Sequence, residues 1–239
     1  MLSRNEYESL FTPESLAVLP FDEDTWLVLE MIEKFLRHVK GTDATGGLPR
    51  MLDAGAGIGT VSLIGYVTPV FCVACEPNPD MVELLNANIV HNPGGGQIVL
   101  IRVALFDQDA MLPLNIPLTR KQAGLATLGT PSFRGTRKVL VAAVPLDDLE
   151  HSEVPFDLMK FDIEGAELPA LRGAERIILR DRPAIIVEAQ DKRTMQLGYK
   201  ADRITELLTG WGYRWQKVSK RDLYFWQKPE HDPATWGEA

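Results

Sequence analysis

Two turns hold most of the side chains with chemical potential in this sequence: Asp53-Ala-Gly55-Ala-Gly57-Ile-Gly59 and Lys160-Phe-Asp162-Ile-Glu164-Gly165-Ala-Glu167. Each mixes glycines with carboxylates. Each follows a short apolar run that reads as a buried strand and precedes an apolar periodicity that reads as a helix. Doubly wound sheets hold nucleotide-like ligands at the carboxyl ends of their strands, which is where such turns fall.

In the first turn the spacing is G-x-G-x-G. Glycine lets the backbone approach a ligand closely and take positive φ. A dinucleotide site shows G-x-G-x-x-G and cradles a pyrophosphate, and this turn lacks that spacing. Asp53 instead offers a carboxylate to a cationic amino group. S-adenosylmethionine carries an ammonium and a sulfonium but no phosphate, so Asp53, Gly55, Ala56 and Gly57 read as its cradle. Glu76 ends the next strand, where a carboxylate accepts hydrogen bonds from ribose hydroxyls, and Pro77 and Asn78 fall beside the adenine. The bland alternative for Glu76 is a surface acid favoured by the dipole of the helix that follows.

At the second turn Lys160, Asp162 and Glu164 share one face if the strand stays extended. Glu188 ends a further strand on the same rim. Three carboxylates in one cleft supply either a base of raised pKa or ligands for a divalent metal. Asp162 or Glu164 is the expected base, with Glu188 a weaker candidate on the substrate side. Glu167 falls in a first helical turn and reads as structural. His91 and His151 sit in loops and read as solvated. Arg120, Lys121, Arg134, Arg137 and Lys138 cluster in an otherwise acidic chain. They read either as a clamp for an acidic acceptor, with Arg134 and Arg137 touching it, or as a solvated loop.

These groups need a frame. Met51-Leu52, Val70–Ala74, Ile98–Leu105, Leu158–Ile163 and Ala184–Glu188 read as strands. Helices are expected over Trp26–Val39 (capped by Asp22 or Asp24), from Ile58 to Ile64, after Pro77, over Ala166–Ile178 and over Ile204–Trp211. Tyr213–Val218 and Leu223–Trp226 read as an antiparallel pair. Alternation of this kind implies an α/β fold with a mostly parallel sheet and an antiparallel edge. Residues 106–144 form an irregular insertion with a possible hairpin, and Gly124–Gly129 is a candidate lid. Gly41–Pro49 and Asn92–Gly96 read as loops. Residues 1–45 read as an N-terminal helical cap on a domain spanning 46–239. Trp26 and Phe35 there serve as cap, core or homodimer contact. Cys72 and Cys75 have C-x-x-C spacing, but on a strand they point to opposite faces and neither chelate nor pair.

The formal net charge of -8 argues against general nucleic-acid binding. No apolar run is long enough to span a bilayer, and the first ten residues have no apolar secretory core. The expected setting is cytoplasmic, with a small-molecule partner, no nucleic acid and no membrane.

Taken together, the turns resemble the FkbM family of class I methyltransferases. Leu158–Glu175 followed by Arg182-Pro-Ala-Ile-Ile-Val-Glu188 is similar to that family's K-x-D-x-E-G-x-E and trailing R-P-x-x-x-x-E. Asp53–Gly59 is similar to its D-x-G-A-x-x-G, with Gly57 where asparagine is more usual, and Glu76-Pro77-Asn78 and Val144–Leu149 also fit. The match runs from about Met51 to Glu188. The resemblance implies a Rossmann-like seven-stranded, mostly parallel sheet with helices on both faces. It implies methyl transfer from S-adenosylmethionine, typically to oxygen of small natural products or sugars. By the same resemblance Asp53, Gly55, Gly57 and Glu76 hold the cofactor, Ala104 and Leu105 touch the adenine, and Asp162 lies near the methionine moiety. A nicotinamide-dependent oxidoreductase and a non-catalytic cofactor-binding protein are the alternatives.

Overall fold

The computed structural model describes residues 3–18, 21–42, 47–93, 97–131, 134–149 and 154–236. His151 and parts of the loops expected at Gly41–Pro49 and Asn92–Gly96 lie outside them, as do the side chains of Arg120 and Lys121. The chain opens with α1 (Arg4–Glu8), α2 (Pro13–Leu16) and α3 (Glu23–Thr42), followed by β1 (Arg50–Ala54), β2 (Phe71–Cys75), α4 (Pro79–His91), β3 (Gln97–Ile101), β4 (Ala104–Leu105), β5 (Ala110–Pro117) and β6 (Thr136–Val144). It continues through α5 (Leu146–Leu149), β7 (Leu158–Phe161), α6 (Glu167–Arg172), α7 (Glu175–Asp181), β8 (Ala184–Glu188), α8 (Asp191–Thr194), α9 (Asp202–Gly210), β9 (Arg214–Lys217) and β10 (Asp222–Trp226).

Seven of these strands form one sheet in the order β3-β2-β1-β7-β8-β10-β9. The first five are parallel, and β10 runs antiparallel to both β8 and β9. The strand order reverses between β1 and β7, so a crevice opens at their carboxyl ends. Both glycine- and acid-bearing turns leave the sheet at that point.

Side chains alternate across the sheet with period two. Met51, Leu158, Ile186 and Tyr224 join one core with α3, while Leu52, Met159, Ile185 and Phe225 join the other with α6, α7 and α9. Cys72 and Cys75 are buried, one in each core. The same parity puts Asp53, Lys160, Glu188 and Asp222 on the α3 face, because Asp53 pairs with Lys160 and Glu188 with Asp222 in the strand register.

The α3 stripe of Leu29, Ile32, Phe35, Leu36 and Val39 is buried. Each such side chain contributes roughly 1.5–3 kcal/mol. Asp22 caps this helix, its Oδ1 accepting the Thr25 amide at 2.9 Å. Among the described residues no helix is long and apolar enough to cross a membrane.

Three expected elements differ. Ile58–Ile64 is no α-helix: a turn leads into one 3₁₀ stretch, Ser62–Tyr66. Ser62 there donates to Asp53, and one glycine and four β-branched residues (Ile58, Thr60, Val61 and Ile64) weaken helix propensity across the segment. Ile98–Leu105 is not one strand. It ends at Ile101, and Ala104–Leu105 pairs instead with β6 in a second sheet of order β4-β6-β5. Ala166–Ile178 breaks at Gly173 into α6 and α7, where the Gly173 carbonyl accepts the Asp147 amide at 2.9 Å.

Candidate functional site

Glu76 organises the first turn. Its Oε2 accepts the Gly57 amide at 2.7 Å, and its Oε1 accepts the Asn78 amide at 2.8 Å. The Gly55 and Ala56 amides both donate to the Cys75 carbonyl, at 2.9 and 3.1 Å. The turn after β1 is thereby tied to the end of β2. Burial pushes the Glu76 carboxyl up to about 7 against these two amide donors.

Asp53 is buried beneath that turn. Ser62 Oγ donates to its Oδ2 at 2.6 Å, while Oδ1 is buried and accepts nothing. Burial raises its pKa, partly offset by the Lys160 ammonium. Lys160 Nζ lies 3.1 Å from Asp162 Oδ2. Burial alone would lower the Lys160 ammonium, but Asp162, Asp53 and Asp222 outweigh it and hold it above its ordinary value.

Beyond Asp162 the strand geometry ends. Glu164 takes φ 55°, a left-handed backbone that costs a non-glycine residue about 1–2 kcal/mol. Its Oε2 lies 2.9 Å from Arg193 Nε. Burial, with the neighbouring Asp162 carboxylate, pushes the Glu164 carboxyl up to about 8. Glu167 braces the turn from within, its Oε1 accepting the Ile163 and Gly165 amides at 3.0 and 3.1 Å. Glu188 is buried on β8. Gln190 Nε2 donates to its Oε1 at 2.7 Å, and its Oε2 is buried without a partner. Burial and the carboxylates around it hold the Glu188 pKa well above its usual range. Asp222 is pushed to about 6, again mainly by burial.

Two cavities meet here. The first, with about 590 Å³ of empty space, is lined by Gly55, Gly57, Glu76, Pro77, Asn78, Ala104 and Leu105, with Leu114, Gly124, Ala126 and Leu128 from the insertion. The second, about 1150 Å³, lies on the α3 face. It is lined by Asp22, Asp53, Ala56, Lys160, Asp162, Glu164, Glu188, Arg193, Arg221 and Asp222, with Thr25 and Val28 of α3. Gly55, Gly57, Met81, Gly124, Asp162 and Glu164 line both. The expected cofactor residues thus converge on one crevice, with the two expected bases at its junction.

The insertion is a hairpin of β5 and β6 whose connection returns over the first cavity. Thr127 Oγ1 donates to the Glu164 carbonyl at 2.9 Å, and Thr127 bridges Asn115. Arg134 and Arg137, expected to touch an acceptor, line neither of these two cavities. Arg137 Nη2 lies 2.6 Å from both oxygens of Asp80, at the start of α4. Arg134 is exposed and lines neither cavity. His91 is exposed at the end of α4.

Arg193, Arg221, Asp222 and Met81 line the crevice without having been singled out in the sequence, and Asp22, read there only as a helix cap, lines it too.

Residues 53–215 match the family model described as the Methyltransferase FkbM domain. Among solved structures, the crystal structure of methyltransferase FkbM from Methylobacillus flagellatus KT aligns with TM-score 0.51 and 22% identity, over 74% of this chain and 43% of that one. The crystal structure of monomeric WbdD aligns with TM-score 0.55 and 14% identity, over 95% of this chain and 45% of that one. The chain therefore spans less than half the length of either. At these identities the likeness is one of fold. No curated protein matches the chain.

Proposed function

We propose, from the premise that this chain belongs to the FkbM methyltransferase family, that it moves a methyl group from S-adenosylmethionine to a hydroxyl of a small-molecule acceptor. One observation carries the reading: a glycine-lined cavity braced by Glu76 joins a second, charged cavity, and Asp162 and Glu164 stand at the junction.

The residues present fit the cofactor. Asp53 Oδ1 is a buried carboxylate oxygen without a hydrogen bond, a costly state that an ammonium would relieve. A Cβ on Gly57 would meet no atom within 4 Å, so the turn leaves room above it. Glu76 retains lone pairs for ribose hydroxyls after accepting two amides. Pro77, Asn78, Ala104 and Leu105 would flank the adenine, and Asp53 the amino group. When bound, the cofactor supplies an electrophilic methyl on a sulfonium.

The protein's part is positioning and proton removal. Holding an acceptor hydroxyl in the second cavity makes the displacement effectively unimolecular. Asp162 or Glu164 accepts the hydroxyl proton as the new bond forms. Gly124, Ala126 and Leu128 of the hairpin connection wall the first cavity.

Calorimetric titration with S-adenosylmethionine, S-adenosylhomocysteine and NADH tests this. Binding of both sulfur compounds and not of NADH is expected. A folded protein that binds neither sulfur compound would overturn the reading.

A further inference from the structure

We propose that Asp162, Glu164 and Glu188 form a divalent-cation site on the wall of the second cavity. One carboxylate oxygen from each lies within 4.8 Å of the other two. Oxygens that close can share the shell of a Ca²⁺ ion, whose ligands lie at roughly 2.4 Å, and a modest inward movement suits Mn²⁺ or Mg²⁺. An all-oxygen donor set selects these hard ions over zinc or copper.

One unpartnered oxygen points to the ligand independently of the clustering. Glu188 is only 7% exposed, lines the second cavity, and its Oε2 has no hydrogen-bond partner. Native interiors rarely leave such an oxygen bare. A metal ion satisfies it.

The charge balance agrees. Six carboxylates face the second cavity against three cations. With all six ionised, a divalent ion together with the net single positive charge of S-adenosylmethionine would neutralise the excess of three. Lys160 lies against Asp162 and Arg193 against Glu164, outer partners of the kind that commonly orient metal-binding carboxylates. An ion held here would take an acceptor oxygen as a further ligand and lower its pKa. That use rests on the methyl-transfer reading; the binding of the ion does not.

The test is titration of the EDTA-stripped full chain with Mn²⁺, followed by calorimetry and by the loss of the free-ion electron paramagnetic resonance signal. One Mn²⁺ per chain is expected, with affinity at least tenfold weaker in Glu188→Gln. Absence of a Mn²⁺ site at millimolar ion, or undiminished binding in a folded Glu188→Gln, would overturn the proposal. Should that variant unfold, Glu164→Gln is read by the same criterion. S-adenosylhomocysteine is titrated alongside. Its binding without Mn²⁺ binding removes the metal site alone. Mn²⁺ binding without it supports the site and removes the methyl-transfer reading.

Discussion

Gly55 and Asp162 are in backbone contact across the crevice: a Cβ on Gly55 would lie 1.9 Å from the Asp162 carbonyl oxygen. The Asp162 amide also donates to the Ala54 carbonyl at 3.1 Å. The two chemically loaded turns are therefore one assembly, and the distance between cofactor cradle and candidate base is set by a missing side chain. Gly57, two residues on, faces open space. Both glycines have positive φ, 81° and 56°, yet they should fail differently when substituted. Gly55→Ala must displace a backbone carbonyl and should lower stability by about 3 kcal/mol or more. Gly57→Ala pays only the left-handed backbone cost of about 1–2 kcal/mol but puts a methyl group into the cavity. Thermal melting and S-adenosylhomocysteine titration separate the cases. Gly57→Ala should melt within several degrees of the parent and lose most of its affinity. A Gly57→Ala protein that binds normally would mean the cofactor does not lie over this turn.

The bare Oδ1 of Asp53 gives a second prediction. Asp53→Asn keeps an oxygen for Ser62 Oγ but replaces the Oδ1 offered to an ammonium with an NH2 donor, losing both the charge and the acceptor. A hydrogen bond between charged groups contributes about 1.5–3 kcal/mol, so S-adenosylhomocysteine should bind roughly ten- to a hundredfold more weakly. 5′-Methylthioadenosine, which lacks the amino-acid portion, should bind both proteins alike. Equal losses for the two ligands would place Asp53 in a structural role.

Much of this site was legible because it lies on strand ends. Apolar runs before Asp53, Glu76, Asp162 and Glu188 mark buried parallel strands, and the residue following each run must reach the sheet's carboxyl edge. The misread elements share a different cause. Ile98–Leu105 has one continuous pattern, but Ala104–Leu105 pairs with a strand more than thirty residues later in the chain. The breaks at Ser62 and Gly173 answer to hydrogen bonds with Asp53 and Asp147, which lie outside the helical segments themselves and leave no mark on their apolar periodicity. Arg193 and Arg221 reach the crevice from segments with no motif. Arg221 is tied to Asp22 at 2.8 Å across the whole chain, a contact that no spacing encodes.

Arg137 belongs to that lesson and to a third prediction. Its ion pair with Asp80 pins the hairpin to α4, and both side chains are about half exposed. Exposed pairs of this kind contribute at most about 1 kcal/mol, less in high salt. Arg137→Ala should therefore leave acceptor KM within about twofold and shift the melting temperature by only a few degrees. A tenfold rise in KM at unchanged kcat would place Arg137 at the acceptor site.

Glu76 should make cofactor binding depend on pH. Burial raises its carboxyl to about 7, so below that value the free protein holds it largely protonated. A ribose diol donates two hydrogen bonds best to the ionised form. Binding then favours loss of the proton, and affinity for S-adenosylhomocysteine should rise as pH climbs through 7 and level off above 8. The stability linkage runs the other way. A carboxyl raised from 4.5 to about 7 in the fold contributes stability that is full below 4.5 and is lost as pH rises through 7. Glu76→Gln cannot titrate. Its amide nitrogen must also face either the Gly57 or the Asn78 amide, donor against donor. The variant should bind at least tenfold more weakly, with the rise through pH 7 flattened relative to the parent. Titrations at pH 6, 7 and 8 on both proteins measure this. An equally steep pH dependence in Glu76→Gln would assign the proton to another carboxyl of the crevice.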